Sequence, residues 1–235
     1  MGMPTAPSSD SGSYVHPDKD RMAAFRRVYE RYLIVEDVYA DIAQRLLDLG
    51  CRRFADLGGG RGELCARLRA ARVRTVLVDL DQQMLAEGAR PAIRADLAAV
   101  PLCTASVDAA AAVNCLYFLD DPLVGIAEAH RLLQPGGTFV ASSPSRWNDP
   151  ELEGIDPRWG RPSPFDSEDA PALVGAVFAD LEVDPWELVA YRLPNRAAIR
   201  DYLHAFDVPD WQDRAEAIVP PLEITKRGAH VWARR

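Results

Sequence analysis

The chain has 235 residues, 48% of them hydrophobic and 26% charged, with a formal net charge of −8. It is long enough for one domain with a real core. Its acidic balance, with basic residues only in short scattered pairs such as Arg26-Arg27, argues against a general affinity for nucleic-acid backbones. No apolar run approaches the ~20 residues of a membrane span, the first residues lack the apolar core of a signal peptide, and the four cysteines form no C-x-x-C pair. The expectation is a cytoplasmic protein with reduced thiols and no metal.

Residues 1 to 18 are rich in Ser, Pro, Gly and Asp and carry no apolar period, which reads as a tail. Two helical patterns follow, Asp20 to Leu33 and Val35 to Leu49, the second stopped by Gly50. Strands and helices then alternate. The expected strands are Arg53–Leu57, Thr75–Asp79, Ala92–Ala95, Val107–Asn114 and Thr138–Ser142. The expected helices are Glu63–Ala71, Gln82–Glu87 and Leu123–Leu133. Such alternation implies a mostly parallel α/β sheet with helices on both faces. Asp81 suits an N-cap, and Gln134-Pro135-Gly136-Gly137 ends a helix.

From Pro144 to Pro164 the periodicity breaks, and five prolines accompany Trp147 and Trp159. This stretch, 144–166, reads as a lid-like insertion with the chain before it, 19–35, as a helical cap, all within one domain from 19 to 235. A helix is expected at Ser167–Phe178, a strand at Leu181–Arg192 interrupted by Pro185, and a helix at Asn195–Phe206. Leu222–Ala233 alternates as a final edge strand.

The chemistry concentrates in Asp56-Leu57-Gly58-Gly59-Gly60-Arg61-Gly62, at a strand-to-helix junction. Glycine lets a ligand approach the backbone closely, and the following helix offers free N–H groups. Asp56-x-Gly58-x-Gly60-x-Gly62, Val76-Leu77-Val78-Asp79, the stretch Asp96-Leu97 to Ser106-Val107-Asp108, and Arg131-Leu132-Leu133-Gln134-Pro135-Gly136-Gly137 occur in this order. Together they resemble the class I S-adenosylmethionine-dependent methyltransferases, of the small-molecule kind called type 11. A nicotinamide-binding Rossmann domain would need a third glycine where Glu63 or Cys65 stands.

The resemblance implies a Rossmann-like sheet, mostly parallel with the last strand antiparallel, and S-adenosylmethionine as cofactor. It implies that Gly58, Gly59, Gly60 and Gly62 pack against the methionine part and Asp56 reaches its ammonium group. Asp79, followed by Leu80, would accept both ribose hydroxyls. Asp96 would take the adenine amino group with Leu97 against the ring, and Asn114 would close the site at the fourth strand. The acceptor is expected to be a small molecule of specialised metabolism, methylated at O, N or C. A non-methylating reaction on the same fold, such as decarboxylation, hydroxylation or cyclisation, and a non-catalytic binding role are the alternatives.

The fourth strand ends in Asn114-Cys115-Leu116-Tyr117 rather than the motif of enzymes that methylate exocyclic base amines. Nucleic acid and membrane are therefore not expected as partners, and a homodimer is left open. Asp120 and Asp121 read as a turn before Pro122 rather than as metal ligands. For a catalytic base the candidates are His204 and Tyr117, with His230 ranked lower and His130 read as structural. Tyr29, Tyr32, Trp147 and Trp159 are the candidate acceptor-binding residues.

Overall fold

The computed structural model describes residues 19–35 and 39–235. The expected tail, 1–18, and residues 36–38 of the expected helix Val35–Leu49 lie outside the described residues. The chain opens with α1 (Lys19–Tyr32) and α2 (Ala40–Asp48). It continues through β1 (Arg53–Leu57), α3 (Glu63–Ala70), β2 (Arg74–Asp79), α4 (Gln82–Glu87), β3 (Ala92–Arg94) and β4 (Val107–Val113). After a 3-10 turn at Leu116–Phe118 come α5 (Pro122–Leu132) and β5 (Leu133–Pro144). A second 3-10 turn at Pro150–Leu152 precedes α6 (Ala170–Gly175), β6 (Asp180–Leu193), α7 (Arg196–Ala205), α8 (Trp211–Ala217) and β7 (Leu222–Arg234).

The seven strands lie in the order β3-β2-β1-β4-β5-β7-β6. The first five are parallel, and β7 runs antiparallel to both β5 and β6. The sequence pattern of Leu222–Ala233 implies an edge strand, but the structure puts β7 inside the sheet and β6 at its edge. Alternation reports a half-buried face and does not count neighbours. Pro185 is the better indicator, because proline cannot complete a central ladder and is confined to edges.

Local chemistry sets the other boundaries. Asp121 accepts a hydrogen bond from the Leu123 N–H and Pro122 holds the first helical position of α5. Asp81 caps α4 by accepting from Gln83 and Met84, and Asn195 caps α7 by accepting from Ala198 at 3.0 Å. The Gln134–Gly137 stretch does not separate α5 from its strand. It bulges out of β5, so that Val107 faces Leu133 and Ala109 faces Thr138. Gly136, at φ +78°, makes that bulge, and its N–H reaches the Arg235 carbonyl at 2.8 Å.

Three apolar clusters hold these elements together. One fills the face of the sheet under α5 and α6, around Phe139, Phe165, Phe178 and Ile126. A second fills the opposite face under α2, α3 and α4, around Phe54, Leu64, Leu77 and Ile42. A third lies at the far end of the β6–β7 ribbon, under α1, α7 and α8, around Phe25, Tyr191, Tyr202 and Phe206. β4, with four consecutive buried alanines from Ala109 to Ala112, lets helices approach the sheet on either side. Among the described residues no helix is long and apolar enough to cross a membrane.

Phe139 is fully buried and stacked on Phe178 at 5.4 Å between ring centres. Phe139→Ala removes this contact and leaves a cavity, so unfolding in urea is expected to show a loss of about 3–5 kcal/mol.

Candidate active site

The glycine turn is built by its neighbours. The N–H groups of Gly58 and Gly59 donate to the Val78 carbonyl at 2.8 and 3.3 Å, which ties the end of β1 to β2. Gly58, Gly60 and Gly62 all have positive φ, a conformation that disfavours side chains. A Cβ at Gly58 would strike the Cys115 side chain, and one at Gly59 would strike the Asp56 carboxyl group. At Gly60 a Cβ would meet nothing within 4 Å. Gly60 is therefore the glycine that faces open space.

Asp79 governs this turn. Its Oδ2 accepts the Gly60 N–H and its Oδ1 the Asp81 N–H, both at 2.8 Å. The carboxylate is 8% exposed, and burial raises its pKa, with the two backbone donors opposing the rise. Each carboxylate oxygen keeps lone-pair capacity for another donor.

Asp56 lies beneath the turn, 2% exposed. The Cys65 thiol and backbone N–H donate to its carboxyl group, but among the described residues Oδ2 has no hydrogen-bond partner. Burial pushes its pKa up to about 7, the Cys65 hydrogen bonds opposing and the nearby Glu63 and Asp79 charges adding to the rise. At the end of β4, Asn114 adopts φ +53° and its buried Oδ1 is also without a partner among the described residues. Two unsatisfied acceptor oxygens thus stand at the carboxyl ends of neighbouring strands, and such atoms call for a donor.

The structure brings Asp56, Gly58, Gly59, Gly60, Gly62, Asp79 and Asn114 together at these strand ends. Leu97 lies over the same turn, 3.4 Å from where a Gly58 Cβ would sit. Leu80 projects beside Asp79, 48% exposed. Asp96 is exposed and accepts the Ala98 N–H at 2.9 Å, which closes a local turn.

Beside Asn114 opens a cavity of about 220 Å³. Its floor is β4 to β7: Asn114, Ser142, Trp186, Leu188, Lys226 and His230. Tyr29 and Leu33 of the α1 segment, Tyr39 and Ile42 at α2, and Phe206 after α7 form its walls. Only Pro144 and Asn148 of the 144–166 insertion reach it.

The remaining candidates lie away from this cavity. Trp147 and Trp159 pack edge to face on each other at 4.8 Å, with Trp147 44% exposed. They stitch the insertion to itself. Tyr32 packs on the third cluster. Tyr117 is buried against Phe118 at 4.6 Å in the core under α5. His204 stacks on Trp211 of α8 at 4.6 Å.

Two residues ranked low or passed over in the sequence line the cavity instead. His230 Nδ1 lies 2.9 Å from Ser142 Oγ. Lys226 Nζ is 2.7 Å from Asp149, which also accepts the Tyr202 hydroxyl at 2.9 Å, and sits 4.1 Å from the centre of the Phe206 ring. Burial lowers the Lys226 pKa against the pull of Asp149, and raises that of Asp149 against the pull of Lys226. The signal was period two: 226, 228 and 230 share one face of a strand. Among the described residues no group of three acidic, Cys or His side chains is placed to hold a metal ion.

The position of Asp56 makes stability depend on pH. Folding raises its pKa from 3.8 to about 7, so the native state binds the proton more tightly than the unfolded chain. Stability therefore falls as pH rises from about 4 to about 7, and the loss levels off above that. At ~1.36 kcal/mol per tenfold change in proton affinity the full loss is about 4 kcal/mol. Asp79 and Asp149 slope the same way, so the comparison is with Asp56→Asn. Urea unfolding between pH 5 and pH 8 is expected to show the variant gaining on the native chain as pH rises; a constant difference would show that Asp56 does not titrate in this range.

The family described as "Methyltransferase domain" matches residues 55–141, which run from β1 into β5. The ubiquinone/menaquinone biosynthesis C-methyltransferase UbiE of Rubrivivax gelatinosus is 30% identical over 169 residues, covering 63% of this chain and 67% of that protein. The chain spans between half and two thirds of the length of four curated relatives and 14% of a fifth. The crystal structure of the YcgJ protein of Bacillus subtilis superposes with a TM-score of 0.61 at 14% identity, over 83% of this chain and 98% of that one. The [4+2]-cyclase SpnF superposes with a TM-score of 0.57 at 19% identity, over 100% of this chain and 98% of that one. The acidic-glycine turn, the carboxylate at the end of β2, the sheet order and these likenesses agree: the chain belongs to the class I methyltransferase-domain family, whose cofactor is S-adenosylmethionine.

Proposed function

We propose that the chain transfers a methyl group from S-adenosylmethionine to a small molecule held in the cavity beside Asn114. One observation carries this reading. Asn114 lines the cavity and also stands at the glycine-turn end of β4, so one residue borders both halves of the reaction. In open α/β sheets ligands bind at the carboxyl ends of the strands, where the strand order reverses. Here that reversal falls between β1 and β4.

The residues present suit the cofactor. Asp79 has acceptor capacity for ribose hydroxyls beyond the two N–H groups it holds. The unpartnered oxygens of Asp56 and Asn114 suit the donors of an ammonium group. Open space at Gly60 lets a ligand lie against the backbone. Leu97 offers an apolar surface for a base, and Asp96 an acceptor beside it. When bound, S-adenosylmethionine supplies a methyl group already activated on a cationic sulfur. The chain's own task is then alignment and exclusion of water, for which the walls from α1, α2 and Phe206 serve.

A second reading is supported by the likeness to SpnF along the whole chain. In it the cofactor stays intact and the fold catalyses a non-methylating reaction. Incubation with S-adenosylmethionine and a panel of small phenols, amines and carboxylic acids separates the two, because methyl transfer must release S-adenosylhomocysteine.

Asp79→Ala is expected to weaken S-adenosylmethionine binding at least tenfold by titration calorimetry, since hydrogen bonds to a charged group contribute about 1.5–3 kcal/mol each. Unchanged affinity would remove Asp79 from the site.

A further inference from the structure

His230 is the one imidazole on the cavity wall among the described residues. Its Nδ1 lies 2.9 Å from Ser142 Oγ, and Ser142 is 3% exposed on the adjacent strand β5. The second ring nitrogen carries no hydrogen bond among the described residues. A buried serine that fixes one ring nitrogen and leaves the other unengaged is the geometry of an oriented base. Ser142 in turn accepts the Asn114 N–H at its carbonyl, at 2.9 Å. Asn114, Ser142 and His230 thus lie side by side across β4, β5 and β7. At about 4.8 Å per strand, His230 stands roughly 10 Å from Asn114.

The cavity between them fits one kind of occupant. Tyr29, Tyr39, Trp186, Tyr191 and Phe206 line it, which favours a flat apolar molecule. A cavity of about 150 Å³ holds a benzene ring. The 220 Å³ here hold a single ring with substituents. Lys226 is already engaged by Asp149, so the site does not present a bare cation to an acid.

We propose that His230, fixed by Ser142, is the general base that takes the proton of a ring hydroxyl in a one-ring acceptor. This rests on the methyl-transfer reading above. In the step the hydroxyl O–H bond breaks and its proton passes to His230 Nε2, while Nδ1–H donates to Ser142 Oγ. The oxygen lone pair forms the O–CH3 bond, the sulfonium C–S bond breaks, and its electron pair returns to sulfur as a neutral thioether.

The surroundings keep the imidazole ready. Asp184 lies opposite His230 on β6, Asp41 and Arg45 face it from α2, Ser142 from β5, and the Trp186 ring stands at 6.0 Å. Burial lowers its pKa, Asp184 and Asp41 oppose this, and Arg45 adds to it. The ring is therefore neutral at neutral pH and able to accept a proton. Asp41 also borders the cavity, but it is exposed to solvent.

4-Nitrophenol tests the assignment, because its neutral and ionised forms absorb at different wavelengths. In the native chain, bound 4-nitrophenol is expected to ionise at least one pH unit below its value in solution, and NMR of labelled histidine is expected to show His230 gaining a proton on binding. His230→Gln is expected to abolish the shift and Ser142→Ala to reduce it. With S-adenosylmethionine present, formation of 4-nitroanisole well below the solution ionisation of 4-nitrophenol is expected to fall by at least about a hundredfold in His230→Gln, and its rise with pH to move up to that solution ionisation. A native chain that fails to bind 4-nitrophenol or leaves its ionisation unchanged overturns the proposal. So does a His230→Gln chain with native rate and pH profile. The NMR arm needs no variant, so misfolding cannot obscure it. Failure to bind S-adenosylmethionine by calorimetry would instead overturn the methyl-transfer reading, while the ionisation of 4-nitrophenol still reports on His230.

Discussion

A single carboxylate at the end of β2 holds the site in shape. Asp79 takes the Gly60 N–H on one oxygen and the Asp81 N–H on the other. It thereby fixes the glycine turn of β1 and the start of α4, which Asp81 caps. Hydrogen bonds to a charged acceptor are about twice as strong as neutral ones, and burial removes competing water. The ties of Gly58 and Gly59 to the Val78 carbonyl hold the same turn from its other side. The residue proposed to bind the cofactor is thus also one that shapes the turn.

The first four strands are legible because each is a short run ended by a turn residue, and only the second half of β5, after its Gln134–Gly137 bulge, has that pattern. The glycine turn was legible because few other structures need an acid and alternate glycines at a strand's end. The far half of the chain was harder. α8 carries a pattern of seven residues, Trp211–Ala217, too short and too polar to announce itself. Without it, His204 looked available, whereas Trp211 covers it. The tryptophans of the insertion looked like a wall because composition does not say which way a ring faces. Lys226 and His230 were hidden for the opposite reason. Their role follows from the partners that β7 acquires on both sides, and pairing partners are not written in a strand's own sequence.

Burial of charge is concentrated near this crevice. Lys226 and Asp149 join β7 to the 144–166 insertion, with Tyr202 of α7 as third member. A buried ion pair contributes little net stability, because desolvation offsets the attraction. Breaking it leaves a lone buried charge, which is costly. The pair therefore specifies how the insertion sits on the sheet more than it strengthens the fold. Asp56 is the contrasting case, a buried carboxyl group that among the described residues is held by Cys65 with no cation beside it.

The glycine turn and the cavity draw on different apolar clusters with one overlap. The glycine turn and Asp79 grow from strands packed in the two clusters that cover the sheet. The cavity proposed for the acceptor is lined by Tyr191, Phe206, Leu33 and Leu188 of the third cluster, and by Ile42, Tyr39 and Val113 of the second. Residues that share no packing partner contribute independently, so changes in the third cluster add to changes around the glycine turn, whereas changes at Ile42 reach both. On the reading proposed above, exchanging residues of the third cluster changes what the cavity admits while the strands that carry the glycine turn keep their packing.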